Sequence, residues 1–287
     1  MMKYSHPIHL KELSVRRLSW AFLPMMWFCL PIVAQEQASL SSSPDAMTST
    51  SLIGIGTTRI LDTYITPEQF SGTGFSYLNI RERVKDNRRW NTITEHELDL
   101  SSTDDRSGNI TMLEGSYNLY WGYYRKWNLL ADRLHLQTGG VLNACLGFLY
   151  DMTASNNPAQ ARAAVNFMPS AITTYDLTLW QQRFVIRYEL NLPLMGMMFS
   201  PNYGQSYYEI FSLGNYDHNI VPTTCVCAPN IRQQITLDWQ ASKRWTVRVG
   251  YLGNYQQAKV NQLKSHVYAH RFMIGIVKRF QTIHYRP

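Results

Sequence analysis

A period of two runs through this chain and restricts it to β-structure. In Arg183–Leu192 one alternate set is Phe184, Ile186, Tyr188, Leu190 and Leu192, and the other is Arg183, Val185, Arg187, Glu189 and Asn191. A helix would mix these sets on each face, whereas a strand sends them to opposite sides. The separation recurs where Arg232, Gln234, Thr236 and Asp238 alternate with Ile231, Ile235, Leu237 and Trp239. It recurs again where Arg244, Thr246 and Arg248 alternate with Trp245, Val247, Val249 and Tyr251. Upstream, Leu113, Tyr117, Leu119, Trp121 and Tyr123 stand against Glu114, Ser116 and Asn118. In the final run, Phe272, Ile274, Ile276 and Phe280 form the apolar face.

Reading each run as a strand gives about twelve: 52–66, 70–84, 89–103, 107–123, 129–148, 160–180, 183–195, 204–213, 218–225, 229–240, 243–254 and 266–280. Ten and fourteen are the neighbouring alternatives, since single-chain bacterial barrels have even strand counts. Short connections at Lys85–Arg89, Tyr124–Trp127, Gln181–Gln182, Gly214–Asp217 and Ala241–Lys243 fall on one side of such a barrel. Longer ones at Asp151–Pro158, Ser200–Gly204 and Gln256–Ser265 fall on the other. Short periplasmic turns and longer external loops are the asymmetry of a membrane barrel. A soluble β-sandwich or lipocalin-like barrel would alternate too, with its polar faces outward. Segments longer than ten residues, and polar faces with nearly balanced charges of both signs, fit a shared polar interior better. The expected fold is therefore all-β: an antiparallel transmembrane β-barrel.

The first 34 residues read as a secretory signal peptide. Lys3, Lys11, Arg16 and Arg17 precede an apolar stretch from Trp20 to Ala34, which Pro24 and Pro31 interrupt. That stretch is too short to span a bilayer comfortably. Removing residues 1–34 takes away four Lys/Arg and one acid, so the formal charge falls from +7 to +4. A nucleic-acid partner loses its main support, because no basic run with interleaved aromatics remains. Residues 35–51 are polar and rich in Ser and Thr, as in a flexible periplasmic lead-in, and 52–287 form the barrel. The 18 Tyr and 8 Trp suit interfacial girdles. After cleavage three cysteines remain, Cys145, Cys225 and Cys227, an odd number that excludes a complete disulfide framework. Cys225-Val226-Cys227 admits a local disulfide, a metal site or spare thiols.

Several stretches carry a resemblance. They are Gly54–Tyr64, Leu192–Gly196, Phe199–Glu209 with its Pro-x-Tyr-Gly-x-Ser-Tyr-Tyr-Glu pattern, Gly250–Gly253 and Ser265–Phe280. In these the chain resembles an uncharacterised family of Bacteroidales outer-membrane proteins, defined by a domain of unknown function. The resemblance implies an outer-membrane location in a Gram-negative cell and no particular activity. The aromatic end of the last strand resembles the signal by which barrels are recognised for insertion, with Gln281–Pro287 as an added extension. The implied surroundings are outer-membrane lipid and lipopolysaccharide, with the barrel-assembly machinery met through the last strand.

If the apolar faces meet lipid, the other faces line a lumen. That puts Glu95, Glu97, Asp99, Glu114, Asp176, Glu189, Glu209 and Asp238 inside with Arg133, His135, Arg183, Arg187, Arg232, Arg248 and Arg271. Arg244 and Arg279 share the same face. Buried charges must pair, so ion pairs between adjacent strands are expected, leaving a largely filled lumen, a narrow channel or a binding barrel. Glu95, Glu97 and Asp99 form a same-face acidic ladder that is expected to meet arginines of a neighbouring strand. Tyr203, Tyr207 and Tyr208 are candidates for ligand contacts at the rim, or for the girdle. The alternative reading is an integral outer-membrane lipid or peptide hydrolase, which needs a Ser/His pair or acidic and His residues at the external rim. His96 falls on the lipid-facing register, and no serine partner is identifiable for His96, His266 or His270. No catalytic residue, cofactor or resident metal is assigned.

Overall fold

The computed structural model describes residues 46–84, 89–130, 133–154, 158–242 and 245–281. The expected signal peptide, residues 1–34, and the extension beyond Gln281 lie outside them. The alternating runs form β1 (Ala46–Asp62), β2 (Thr66–Val84), β3 (Trp90–Asp104), β4 (Thr111–Leu129), β5 (Leu134–Asp151) and β6 (Ala159–Leu179). They continue as β7 (Gln182–Asn191), β8 (Met195–Phe199), α1 (Tyr207–Phe211), β9 (Ile220–Thr224), β10 (Ile231–Trp239), β11 (Thr246–Val260) and β12 (Leu263–Gln281).

Ten of the twelve strands close an antiparallel barrel in the order β5-β4-β3-β2-β1-β12-β11-β10-β7-β6, with β6 pairing back onto β5. Closure leaves the ring without an open edge, so its backbone N–H and C=O groups pair within the wall. β8 and β9 lie outside this ring. The break falls at Pro193, which has no N–H to donate. Around it Leu192 N donates to Pro169 O at 3.1 Å and Leu194 N to Phe167 O at 2.9 Å. β8 thus continues along β6 where β7 ends, and β9 pairs with β8.

The expected strand 204–213 is not one. Ser206 caps α1 instead: its hydroxyl accepts from Glu209 N at 3.3 Å, and the Glu209 carboxylate accepts from Ser206 N at 2.7 Å. This reciprocal capping box outweighs the weak alternation there. β1 opens at Ala46, inside the expected lead-in, because Met47 finds Phe280 on one side and Arg83 on the other.

The expected connection Gln256–Ser265 is a tight hairpin, not a long loop. Its central residues Asn261 and Gln262 both have positive φ, 48° and 62°. Trp180 and Gln181, between β6 and β7, repeat the device at 48° and 61°. Left-handed backbone at both central residues matches the right-handed twist of the flanking strands. Tyr124–Trp127 belongs to β4, and Gly214–Asp217 sits in the long excursion between β8 and β9. That excursion lies at the barrel end remote from both described termini, so most of the loop asymmetry comes from this one segment.

Outward positions carry exposed Ile53, Ile55, Leu98, Leu100, Leu142, Leu146, Ile235 and Ile274. Trp90, Tyr123, Trp127, Trp239 and Trp245 cluster at the strand ends nearest the termini, also exposed. Trp90 and Tyr123 stack with centroids 4.8 Å apart. An apolar band bordered by aromatics is what a lipid-facing wall requires. No helix among the described residues is long and apolar enough to cross a membrane.

Candidate functional site

The pleat of β3 turns Glu95, Glu97, Asp99 and Ser101 into the lumen while His96, Leu98 and Leu100 face out. All four inward residues are buried. At this level Arg232 of β10 is the hub. Its Nη2 donates to Glu95 Oε2 at 2.6 Å, its Nε to Glu97 Oε2 at 2.8 Å and its Nη1 to Glu189 Oε1 at 3.3 Å. The guanidinium lies 4.4 Å from the Tyr120 ring centroid, on a fourth strand, β4. Asn254 of β11 adds a 2.8 Å bond to Glu97 Oε1. A planar fork with five donors suits three carboxylates where a lysine would not.

The pairing departs from the expected pattern. β3 and β10 are not neighbours in the sheet, so Arg232 reaches across the lumen. Arg187 of β7 likewise meets Glu82 of β2 at 3.3 Å, besides Glu189 of its own strand at 3.0 Å. The adjacent-strand rule holds for Arg248 and Asp238, which stand directly opposite on β11 and β10 and bond bidentately at 2.5 and 2.7 Å, for Arg232 and Glu189 on β10 and β7, and for His135 and Asp176 on β5 and β6. Ten strands leave a lumen narrow enough for long side chains to bridge.

Apolar side chains pack at the same depth. Leu52, Leu78, Ile80, Ile93, Tyr124, Val141, Met168, Ile172, Leu252 and Met273 form a buried cluster with Tyr120. Farther from the termini, Arg271 of β12 is 1% exposed. It donates to Ser76 Oγ at 2.9 Å, Thr57 O at 2.8 Å, Thr58 Oγ1 at 2.8 Å and Ser101 Oγ at 3.1 Å. Its Nε lies 3.7 Å from Asp99, which accepts a short hydrogen bond from Ser76. A side chain on Gly74 would overlap this guanidinium and force it to shift.

Two spaces flank these layers. The one at the far end is a cavity of about 90 Å³ lined by Asp62, Cys145, Gln160, Arg162, Asn254 and Arg232, among others. The one at the terminus end is a recess of about 840 Å³ lined by Glu82, Arg187, Asp238, Arg248 and Arg279, among others. They share no lining residue.

Glu95, Glu97, Asp99, Glu189, Arg187, Arg232, Asp238, Arg248 and Arg271 all stand buried in the lumen. Glu114 does too, 3.8 Å from Arg162. His135 and Asp176 form a half-buried pair at 3.1 Å, with the exposed Arg183 4.0 Å from Asp176. Two members fall elsewhere. Arg133 is exposed in the turn before β5, and Glu209 caps α1, where Ser206 holds its carboxyl below the usual range. Tyr203 and Tyr208 are exposed on the excursion. Tyr207 turns inward: its hydroxyl donates to Gln160 at 2.8 Å and accepts from Ala161 N at 2.7 Å, and burial pushes its pKa up.

Glu82, Arg162 and Asn254 are lumen residues that the alternation did not single out. β2 hides Glu82 because its inward face also carries Phe70, Leu78 and Ile80, so neither face reads as polar. His96 faces out and bonds the Tyr117 hydroxyl at 2.7 Å, which satisfies its imidazole on the lipid side. Among the described residues the histidines bond Tyr117, Asn128, Asp176, Asp217, Tyr251 and Tyr255, none of them a serine. Cys145, Cys225 and Cys227 are free thiols.

A closed ring with apolar residues outside and ion pairs inside is a transmembrane β-barrel of the outer-membrane type, and it supports a location among outer-membrane lipids. Residues 21–287 match the family model described as "Protein of unknown function (DUF3316)", and the chain belongs to that family. No curated protein sequence matches it. Among solved structures it is similar to the transport unit of the autotransporter AIDA-I from Escherichia coli. The two share 8% identity over 87% of this chain and 93% of that one, with a TM-score of 0.47. It is also similar to the outer membrane protease OmpT from Escherichia coli, at 9% identity over 84% and 99%, TM-score 0.41. A third is an outer membrane channel from Pseudomonas putida F1, at 9% identity over 86% and 100%, TM-score 0.36.

Proposed function

We propose that this protein is a sealed outer-membrane binding barrel, not a conduit. The observation that carries this is the Arg232 hub. One guanidinium ties carboxylates of β3 and β7 across the lumen, inside a layer of buried apolar side chains. Water and solutes would have to break buried, charge-assisted bonds to pass. The lumen network of Glu95, Glu97, Asp99, Glu114, Arg187, Glu189, Arg232, Asp238, Arg248 and Arg271 then acts as a structural septum, and binding belongs to the spaces on either side. Residues 1–34 serve as the export signal, supported by their basic start and short apolar stretch. The last strand, ending in Phe280 and Gln281, is the segment offered to the barrel-assembly machinery, and the outer rim meets lipopolysaccharide.

Swelling of liposomes that contain the purified barrel tests this reading. Sugars of the smallest size should cause no swelling beyond that of empty liposomes. Swelling that scales with protein content would overturn the sealed lumen. Sustained turnover of phospholipid or peptide by the same preparation would replace the binding barrel with a hydrolase.

A further inference from the structure

The recess at the terminus end carries a charge imbalance that the septum does not. Its lining holds Arg89, Arg187, Arg248 and Arg279 against the carboxylates Glu82 and Asp238. Those two acids are matched already, Glu82 by Arg187 and Asp238 by Arg248. Arg89 and Arg279 form no ion pair among the described residues, and both are exposed at the mouth. Deeper in, Arg187 is buried yet its Nε has no hydrogen-bond partner. A buried, unpartnered donor beside a concave surface with surplus guanidinium is an arrangement that lacks its acceptor. The recess, about 840 Å³, exceeds what a single carboxylate fills.

We propose that this recess binds a phosphate-bearing, multiply charged anion, with Arg89 and Arg279 gripping it at the mouth and Arg187 completing the site within. Guanidinium forks match phosphate oxygens in geometry and stay charged at every accessible pH. Two guanidiniums without a carboxylate, Arg89 and Arg279, favour a polyanion over a monocarboxylate. In a membrane barrel the end that holds both termini faces the periplasm, so the ligand arrives from that side. The proposal rests on the sealed-barrel reading only for which compartment supplies the ligand.

Titration calorimetry of the full mature chain in zwitterionic detergent, with sodium tripolyphosphate at low ionic strength, tests it. Saturable one-site binding is expected, weakening as salt rises. Arg89→Gln and Arg279→Gln should each weaken binding about tenfold and together about a hundredfold. Arg81→Gln, an outward-facing arginine on β2 near the same end, should leave binding unchanged. Heat-modifiable gel mobility confirms that each variant is folded. Absence of binding, or binding that the double variant leaves intact, overturns the proposal. Phosphatidic acid in the micelles that displaces tripolyphosphate through the same two arginines assigns the site to a lipid headgroup. Failure to displace it assigns the site to a soluble phosphate compound. Liposome swelling plays no part in this readout, so either proposal can fail alone.

Discussion

The middle of the lumen and its terminus-side mouth are both lined by arginines, yet their charges end differently. At the middle, Arg232, Glu95, Glu97 and Glu189 are all buried and every carboxylate meets a guanidinium. At the mouth, Arg279 and Arg89 stay exposed and without a carboxylate among the described residues. The difference lies in what stands across the lumen. Arg232 on β10 faces the acidic ladder of β3, whereas the acids near Arg279 are already held by Arg187 and Arg248. An inward-facing arginine therefore has no fixed role: the opposite wall decides whether it closes the lumen or waits for a ligand.

The largest effect follows from making the middle of the lumen resemble the mouth. Arg232→Ala leaves three buried carboxylates without their shared cation, at an expected loss of about 3–5 kcal/mol. The temperature at which gel mobility shifts on heating should fall sharply. Next comes the remote end, where Ser206→Ala removes one half of the α1 capping box. That should cost about 1 kcal/mol locally, read as faster proteolysis between β8 and β9 with the barrel intact. Arg279→Gln should leave barrel stability within about 0.5 kcal/mol, since no folded-state ion pair is lost. A loss near that of Arg232→Ala would erase the distinction between the two levels.

The smallest effect belongs to the loop between β3 and β4. The Ser107 hydroxyl, then the N–H groups of Ile110, Ser107 and Asn109, hold the exposed Asp105 carboxyl at about 2. A folded-state value below the ordinary one of roughly 3.9 stabilises the loop fully above that pH. The contribution is lost as pH falls from about 4 toward 2. Protection of the Asn109 and Ile110 amides, taken against the intrinsic exchange rate at each pH, should fall over that window while protection in the lumen strands does not.

The strands were legible because lipid outside and charge inside impose alternation, as Phe184–Leu192 and Arg271–Phe280 show. Two features were not. Closure with ten strands depends on Pro193 interrupting the ladder and on a capping box that makes a helix of Tyr207–Phe211, both local events that a period-two reading passes over. The partners in the lumen were not legible either, because bonds such as Arg232 to Glu97 span 135 positions of sequence and cross the barrel. Sequence identifies which residues face inward, but the matching of β10 to β3 depends on the strand order and stagger of the closed ring. Glu82 was hidden by its apolar neighbours Leu78 and Ile80, and Glu209 was misassigned with the strand that did not form.

Planar-bilayer recording of the wild-type barrel beside Arg232→Ala tests the septum most directly. A sealed lumen gives silence from the wild type at moderate voltages of either sign, and discrete conductance steps from the folded variant once the guanidinium bridge is gone. Stable steps of the same size from both proteins would contradict it, because ions would then be passing without any need to break the bridge from Arg232 to Glu95, Glu97 and Glu189.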